Sequence, residues 1–281
     1  MENIAAVVIL YHPDEYVVNN ILSYIEFIDL LIVIDNTGTD HELKDKIKSL
    51  SSKIRYIANL ENEGIAKSLN KALRMVKGEF NWILTMDQDS GFSLNDIKRF
   101  LDTASTIMDQ SKDIAVICPD QDFQSLPSNG IQAREILKAI TSGSIVNIPV
   151  WEQLHGFDER LFIDEVDLEY CYRSVQNGFK IMEIPGIRLD HNLGKRQVAG
   201  YFGVLKRSSR IIHSPFRIYY MVRNYLYVSS KYAGLFPDEF RLRKKQFLVT
   251  LKNNLLFSGR FFGVLRAMIR GYVDYKTNKF S

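Results

Sequence analysis

Trp82-Ile83-Leu84-Thr85-Met86-Asp87-Gln88-Asp89-Ser90 sets two carboxylates one residue apart at the end of an apolar run. Such a run is a buried strand, and open α/β sheets bind ligands at the carboxyl ends of their strands. In an extended segment residues i and i+2 share a face, so Asp87 and Asp89 could offer oxygens to one hard divalent cation, Mg²⁺ or Mn²⁺. Such a cation keeps open positions for phosphate oxygens. The plainer account is a polar turn ahead of a helix predicted from Ser93 to Met108, where Ser93 and Asp96 have the spacing of a capping box.

The flanking segments set the fold. Ile4 to Leu10 and Leu30 to Ile34 are continuous apolar runs separated by a helical segment from about Asp14 to Phe27, which is a βαβ opening. Asp35-Asn36-Thr37-Gly38 closes the second strand, a helical segment follows to Leu50, and Ile54 to Ala58 gives a third strand. Asn62-Glu63-Gly64-Ile65 then opens a helix with Ile65, Leu69, Ala72, Leu73 and Val76 on one side. After Asp87, the helix from Ser93 and a strand from Ile114 to Cys118 continue the alternation. The pattern predicts an α/β fold with a mostly parallel central sheet and helices on both faces. No Gly-x-Gly-x-x-Gly follows the first strand and no Gly-x-x-x-x-Gly-Lys-Ser/Thr occurs. Diphosphate charge would then be met mainly by a cation, which favours the metal reading of Asp87 and Asp89.

Pro119 to Glu135 is polar and without a period, either a flexible loop over the site or irregular surface. Thr141-Ser142-Gly143-Ser144 follows, and then a second acidic concentration: Asp164, Glu165, Asp167 and Glu169 at the start of a helix running to about Asn177. Acids in a first helical turn are favoured by the helix dipole. The frame of Phe162, Ile163, Val166 and Tyr170 also suits a partly buried carboxylate with the raised basicity of a general base. A strand from Phe179 to Ile184 leads to Asp190-His191-Asn192-Leu193-Gly194. His191 stands in a polar turn, solvated or, as neutral imidazole, a partner for Mn²⁺. Lys195 to Ser214 is a basic segment that suits a mobile connection. From Pro215 the chain is predicted helical, with Arg interleaved among Phe and Tyr. The expected division is therefore residues 1–214 and 215–281.

The composition of the 281 residues, 46% hydrophobic and 25% charged, fits a globular chain. The net charge of +3 hides an imbalance: from Gly200 onward 16 Lys and Arg face three acids, a balance of +13 that leaves −10 for the preceding residues. A basic end suits an anionic surface, or simply a solvated helical face. Nucleic acid is ranked last as a partner because no recognition motif appears and the body is acidic. Cys118 and Cys171, the two cysteines, are expected as buried thiols. The first residues lack the basic region of a signal peptide, and Ile4 to Tyr11 is too short to span a bilayer, so a cytoplasmic protein is expected.

The ordered set Val33-Ile34-Asp35-Asn36, Asn62-Glu63-Gly64-Ile65-Ala66, Met86-Asp87-Gln88-Asp89-Ser90, Ser142-Gly143-Ser144, Gly156-Phe157-Asp158-Glu159, Val166-Asp167-Leu168-Glu169 and His191-Asn192-Leu193-Gly194 resembles family 2 glycosyltransferases of the GT-A fold. Within them it is most similar to bacterial rhamnosyltransferases. The resemblance implies a GT-A catalytic domain over 1–214 and a basic, aromatic-rich helical region over 215–281. It implies that Asp35 binds the nucleobase, that Asn62 and Gly64 lie near the nucleoside, and that Asp87 approaches the nucleotide-sugar. Asp89, with Asp87 and helped by His191, would hold Mg²⁺ or Mn²⁺. Asp167, six residues before Arg173, would be the base, with Asp164 and Glu165 as alternatives. The implied reaction is inverting transfer of a sugar, L-rhamnose from dTDP-rhamnose or a hexose from a UDP donor, to a polysaccharide or lipid-linked glycan. Such an enzyme would work in peripheral contact with an anionic membrane at its cytoplasmic face, or pack its last helices on the catalytic body or on a second subunit. A sugar nucleotidylyltransferase would need a Gly-rich loop where Tyr11-His12-Pro13-Asp14 stands. A non-catalytic membrane-surface scaffold would have no use for the acids at 87, 89 and 167.

Overall fold

The computed structural model describes residues 3–120, 133–191 and 211–280. Strand β1 (Ile4–Leu10) leads through α1 (Tyr16–Leu22) and a 3-10 turn (Ile25–Phe27) to β2 (Leu30–Asp35). Then come α2 (Leu43–Lys48), β3 (Ile54–Ala58), α3 (Ile65–Val76), β4 (Trp82–Asp87), β5 (Ser90–Phe92), α4 (Leu94–Gln110) and β6 (Ile114–Pro119). After β7 (Arg134–Ile136) follow β8 (Ser144–Asn147), α5 (Ile148–Gln153), α6 (Val166–Gln176), β9 (Lys180–Ile184) and β10 (Leu189–His191). Three longer helices close the chain: α7 (Pro215–Tyr232), α8 (Pro237–Phe257) and α9 (Phe261–Lys276).

Eight strands form one sheet in the order β3-β2-β1-β4-β8-β6-β9-β7. The first four are mutually parallel, β8 runs antiparallel between β4 and β6, and β7 is antiparallel on β9. This is the mostly parallel α/β sheet that the apolar runs predict. β1 and β4 are buried almost throughout because helices cover both faces, which is why neither sequence alternates. The antiparallel pair β5 and β10 was not visible in the sequence, since three-residue strands carry too little pattern.

Two helices differ from expectation. The segment from Asp14 to Phe27 breaks after Leu22, where the Ser23 hydroxyl donates to Asn20 O (2.6 Å) and accepts from Phe92 N (3.0 Å). A side chain that bonds the main chain offers an alternative to the helix ladder, and here it also holds β5. The helix predicted from Ser93 to Met108 begins at Leu94 and ends at Gln110, with Ser93 as its cap accepting from Asp96 N (3.1 Å). Of the polar segment Pro119 to Glu135, residues 121–132 lie outside the described residues, as does Lys195 to Ser214 up to residue 210.

The chain divides into two compact units, one taking residues up to Glu159 and from Val166 to β10, the other taking Arg160–Glu165 and the residues from 211 on. The first has a core on one face of the sheet, including Val8, Val33, Leu84, Phe100 and Ile117, and the alternate strand positions, such as Val7, Ile32 and Ile34, are buried on the other face with Leu69 and Leu73 of α3. The second is built on Ile218, Val222, Leu251 and Val264, with Phe247, Leu255 and Met268 packed around them. Thus much of the apolar spacing in α8 and α9 serves packing within this unit, while Leu256 and Phe261 remain exposed. Gly271 lets α7 and α9 approach closely, because a Cβ there would lie 2.7 Å from Tyr219 O. Among the described residues no helix is long and apolar enough to cross a membrane.

Candidate active site

The parallel register brings two of the singled-out acids to one edge of the sheet. Leu10 of β1 pairs with Asp35 of β2, and Ile9 of β1 pairs with Asp87 of β4, so both carboxylates end strands that flank β1. Two strand spacings, about 10 Å, separate their main chains. Asn62 and Gly64 follow β3 on this same edge, between that strand and α3.

Asp35 is buried, and both its carboxylate oxygens accept hydrogen bonds. Thr37 N donates to Oδ1 (2.8 Å), while the Tyr56 hydroxyl (2.5 Å) and His41 Nε2 (2.7 Å) meet Oδ2. Burial pushes the carboxyl up, but the hydrogen bonds from Thr37, Tyr56 and His41 outweigh it and hold Asp35 below the usual range. The same bond, after burial itself, pushes the Tyr56 hydroxyl up. Asn36 next to it is buried and bonds Ser68 Oγ (3.0 Å), Gly64 O (3.4 Å) and Asn59 Nδ2 (2.7 Å), tying the ends of β2 and β3 to the start of α3. Asn62 Oδ1 accepts from Gly64 N (2.9 Å), closing the turn in which Gly64 takes φ +80°. Sequence reasoning missed His41 and Tyr56, which no local pattern connects to Asp35.

At the other strand end, Asp87 is half-buried and Asp89 exposed. Gln88 and Asp89 form a turn between β4 and β5, so the alternation of an extended strand does not govern where the two carboxylates point. That premise of the sequence reading is corrected: the turn sets their relation. Gln88 has a role the sequence did not reveal. Its amide accepts from Tyr11 N (2.7 Å) and donates to Tyr11 O (3.2 Å), extending the β1–β4 pairing past the strands. Asn20 Nδ2 donates to Gln88 O (2.8 Å). The Ser142-Gly143-Ser144 motif grips the same strand: Ser142 Oγ accepts from Asp87 N (3.2 Å), and Gly143 N donates to Thr85 O (2.8 Å). The Thr85 hydroxyl donates to the carbonyls of Thr141 and Ser144.

Asp167 is the second residue of α6, and its Oδ1 accepts from Leu168 N (2.9 Å). It lines a narrow crevice of only about 10 Å³ with Ala139, Ile140, Thr141, Ser144 and Tyr170. The crevice thus borders the segment that holds the end of β4. Wider cavities of about 340 and 620 Å³ lie at the amino ends of the strands, lined by Ile4, Asp29 and Lys53 in one case and by Ile114 and Lys180 in the other. Those are the ends opposite to Asp35 and Asp87. Glu169 is fully buried and paired with Arg173 (2.8 Å), whose guanidinium also donates to Gly156 O (2.7 Å) and Leu154 O. Asn70 of α3 fastens the same segment: its Oδ1 accepts from Trp151 Nε1 (3.0 Å) and Phe157 N (2.8 Å), and its Nδ2 donates to Phe157 O and Glu159 Oε1 (both 2.9 Å). Gly156 has φ +81°, and a Cβ there would lie 2.8 Å from Asn70 Oδ1, so no other residue suits the position.

The two other acids of this cluster are both ion-paired. Asp164 pairs with Arg217 (2.9 Å) and Glu165 with Arg243 (2.5 Å), and both precede α6 instead of lying in its first turn. His191 is the last residue of β10, paired in register with Ser90 directly after Asp89. Its side chain lies outside the described residues. Among the described residues no group of three or more His, Cys, Asp and Glu is arranged as a metal site. Asp87 and Asp89 are nevertheless the hard oxygen donors that Mg²⁺ or Mn²⁺ takes, beside the strand that carries His191. Cys118 and Cys171 are buried and free, with the Cys171 thiol pushed up to about 12 by burial.

A family model described as glycosyl transferase family 2 matches residues 6–146. The dTDP-rhamnosyl transferase RfbF of Shigella flexneri is 31% identical over 242 residues, which cover 79% of this chain and 78% of that protein. Among solved structures, GalNAc-T7 with UDP, GalNAc and Mn²⁺ superposes with a TM-score of 0.57 at 13% identity, covering 68% of this chain and 44% of that one. TarS of S. aureus gives a TM-score of 0.51 at 18% identity, covering 66% of this chain and 35% of that one. The chain spans less than half the length of these two structures, and the likeness to them is one of fold, GT-A.

Proposed function

Because the chain belongs to glycosyl transferase family 2, we propose that this glycosyltransferase moves L-rhamnose from dTDP-L-rhamnose to a hydroxyl of a cell-surface polysaccharide or lipid-linked glycan precursor, inverting the anomeric centre. The observation that carries the reading is the shared strand edge: Asp35 and Asp87 end the two neighbours of β1, and the crevice of Asp167 borders the segment gripping β4. The donor choice rests on the similarity to RfbF.

Asp35, kept ionised by its three donors, is an acceptor only, and so suits an N–H on the edge of a nucleobase. Asn62 and Gly64 would flank the nucleoside. Asp87, Asp89 and His191 would hold Mg²⁺ or Mn²⁺, which as a Lewis acid offsets charge on the departing diphosphate. Asp167 would take the proton of the acceptor hydroxyl as it attacks from the opposite side of the sugar. Residues 1–214 would form the catalytic domain and 215–281 its helical extension. The protein would work at the cytoplasmic face of a membrane: Leu242, Lys245, Val249, Lys252 and Leu256 follow one exposed line along α8, apolar and basic side chains in alternation. Each Lys or Arg near an anionic leaflet contributes about 1 kcal/mol, enough in sum for reversible attachment. Anionic vesicles should therefore sediment the protein in low salt and release it in high salt, and equal binding to neutral vesicles would remove this contact.

A donor screen tests the whole reading. The purified protein is given dTDP-L-rhamnose or a UDP-hexose with Mn²⁺, Mg²⁺ or a chelator, and the released nucleoside diphosphate is measured. We expect dTDP-L-rhamnose to turn over fastest and the chelator to stop it. Preference for a UDP-hexose would overturn the donor, and undiminished turnover with chelator would overturn the metal.

A further inference from the structure

Asp164 and Glu165 have φ of +60° and +68°, the one place among the described residues where two successive non-glycine residues take positive φ. L side chains are disfavoured there, and a sequence indifferent to these positions would carry glycine or asparagine. Instead both residues are acids, and each is gripped by an arginine. Arg217 of α7 donates Nη2 to Asp164 Oδ1 (2.9 Å) and Nε to both its oxygens (3.3 Å). Arg243 of α8 donates Nη2 to both oxygens of Glu165 (2.5 and 2.6 Å), in a pair whose side chains are only 9% and 11% exposed. The main chain of the same strap is held as well. Asn224 Nδ2 donates to Ile163 O (2.7 Å) and Asp164 O (3.3 Å), and Arg223 Nη2 donates to Arg160 O (2.9 Å). Arg223 and Asn224 are themselves buried, with the Arg223 guanidinium over the rings of Tyr219 and Tyr220.

Residue 166, directly after this turn, is the first of α6, and Asp167 is the second. We propose that Arg243 and Arg217 are positioning residues for sugar transfer: by holding the left-handed turn at Asp164 and Glu165 they fix where α6 begins, and so where Asp167 stands. The proposal rests on the reading of Asp167 as the base. With the turn released, its two residues relax toward negative φ and the first turn of α6 changes its heading. A base displaced by an ångström loses most of its worth.

The test must separate positioning from mere stability, because removing one member of a buried pair leaves an unpaired charge that can unfold the protein. The double variant Arg243→Met with Glu165→Met removes both charges, and such replacement of a buried pair is commonly neutral for stability. The readout is release of dTDP from dTDP-L-rhamnose with water as acceptor, together with the melting temperature. We expect the double variant to melt close to the parent, to keep the donor KM within about twofold, and to lose about tenfold or more in kcat. Arg217→Gln, at the more exposed pair, should lower kcat in the same direction with KM unchanged, and decides the matter should the double variant fail to fold. Asp167→Asn is the control and should lose about 10² in kcat. If Asp167→Asn is inactive while a folded double variant, or failing that Arg217→Gln, keeps full kcat, positioning is overturned and the base stands. If Asp167→Asn keeps full kcat, the base itself is overturned.

Discussion

The carboxyl edge of the sheet and the strap at Arg160–Glu165 differ in the groups that hold them. At the edge the main chain is held by neutral groups: Ser142 on Asp87 N, Gln88 on Tyr11, and Asn36 among Ser68, Gly64 and Asn59. At the strap both carboxylates are held by guanidiniums, those of Arg217 and Arg243, while Arg223 and the Asn224 amide hold carbonyls. A neutral donor fixes a position without altering the charge offered to a ligand, whereas an arginine cancels the charge of the acid it holds. In the acidic cluster Asp164, Glu165 and Glu169 each pair with an arginine, and Asp167, the proposed base, lines the crevice beside Thr141.

The hardest way to break that contrast is at the edge. Asp89→Ala and Asp87→Ala should each cost about 10³ or more in metal-dependent donor turnover, since several kcal/mol of charge stabilisation is lost with one ligand. Melting should change little for Asp89, which is exposed. Full turnover in either variant at saturating donor and ordinary metal concentration would sink the edge as the reacting centre.

A stability measurement sharpens the neutral half. Asn70 makes four hydrogen bonds and is buried, so Asn70→Ala strands Trp151 Nε1 and both main-chain groups of Phe157. Orphaned buried polar groups cost about 1–3 kcal/mol each before relaxation, and a loss of about 3 kcal/mol in urea unfolding is expected. A loss under about 1 kcal/mol would mean that Arg173, which holds Gly156 O, does the fastening alone.

What the sequence disclosed follows the range of the interactions. The strands and the helix carrying Asn70 were legible because apolar runs and 3.6-residue spacing are local signals, and Asp35 and Asp87 could be set at strand ends for that reason alone. The resemblance supplied the roles proposed for Asn62, Gly64 and Asp167. The turn at Gln88 and Asp89 was missed because β5 is three residues long, too short to separate from a loop. The strap was missed for a different reason. Its arginines lie 53 and 78 residues from their acids, and nothing local marks a charge that will be matched at such separation. His41 and Tyr56, 6 and 21 residues from Asp35, escaped in the same way.

The smallest expected effect probes the charged half from inside. His213 is half-buried just ahead of α7, where its backbone N–H donates to Asn254 Oδ1 (2.6 Å). Burial holds its ring below the ordinary 6.5, the Arg217 charge lowers it further, and the Asp164 charge opposes them. The ring therefore senses both members of one strap pair. Arg217→Gln should move its titration up toward 6.5, and Asp164→Asn should move it further down, both read from the ring proton shifts in an NMR titration. The sign for stability follows from proton binding. A folded value below the unfolded one means that the unfolded chain binds the proton more readily, so this contribution is present in full above pH 6.5 and is lost as pH falls through the folded value. The parent should lose some stability across that window, and Arg217→Gln should lose less of it, because its folded and unfolded values lie closer together. An unmoved His213 titration in both variants would mean that Arg217 and Asp164 do not stand beside the ring in solution, and the ionic account of the strap would lose one of its two pairs.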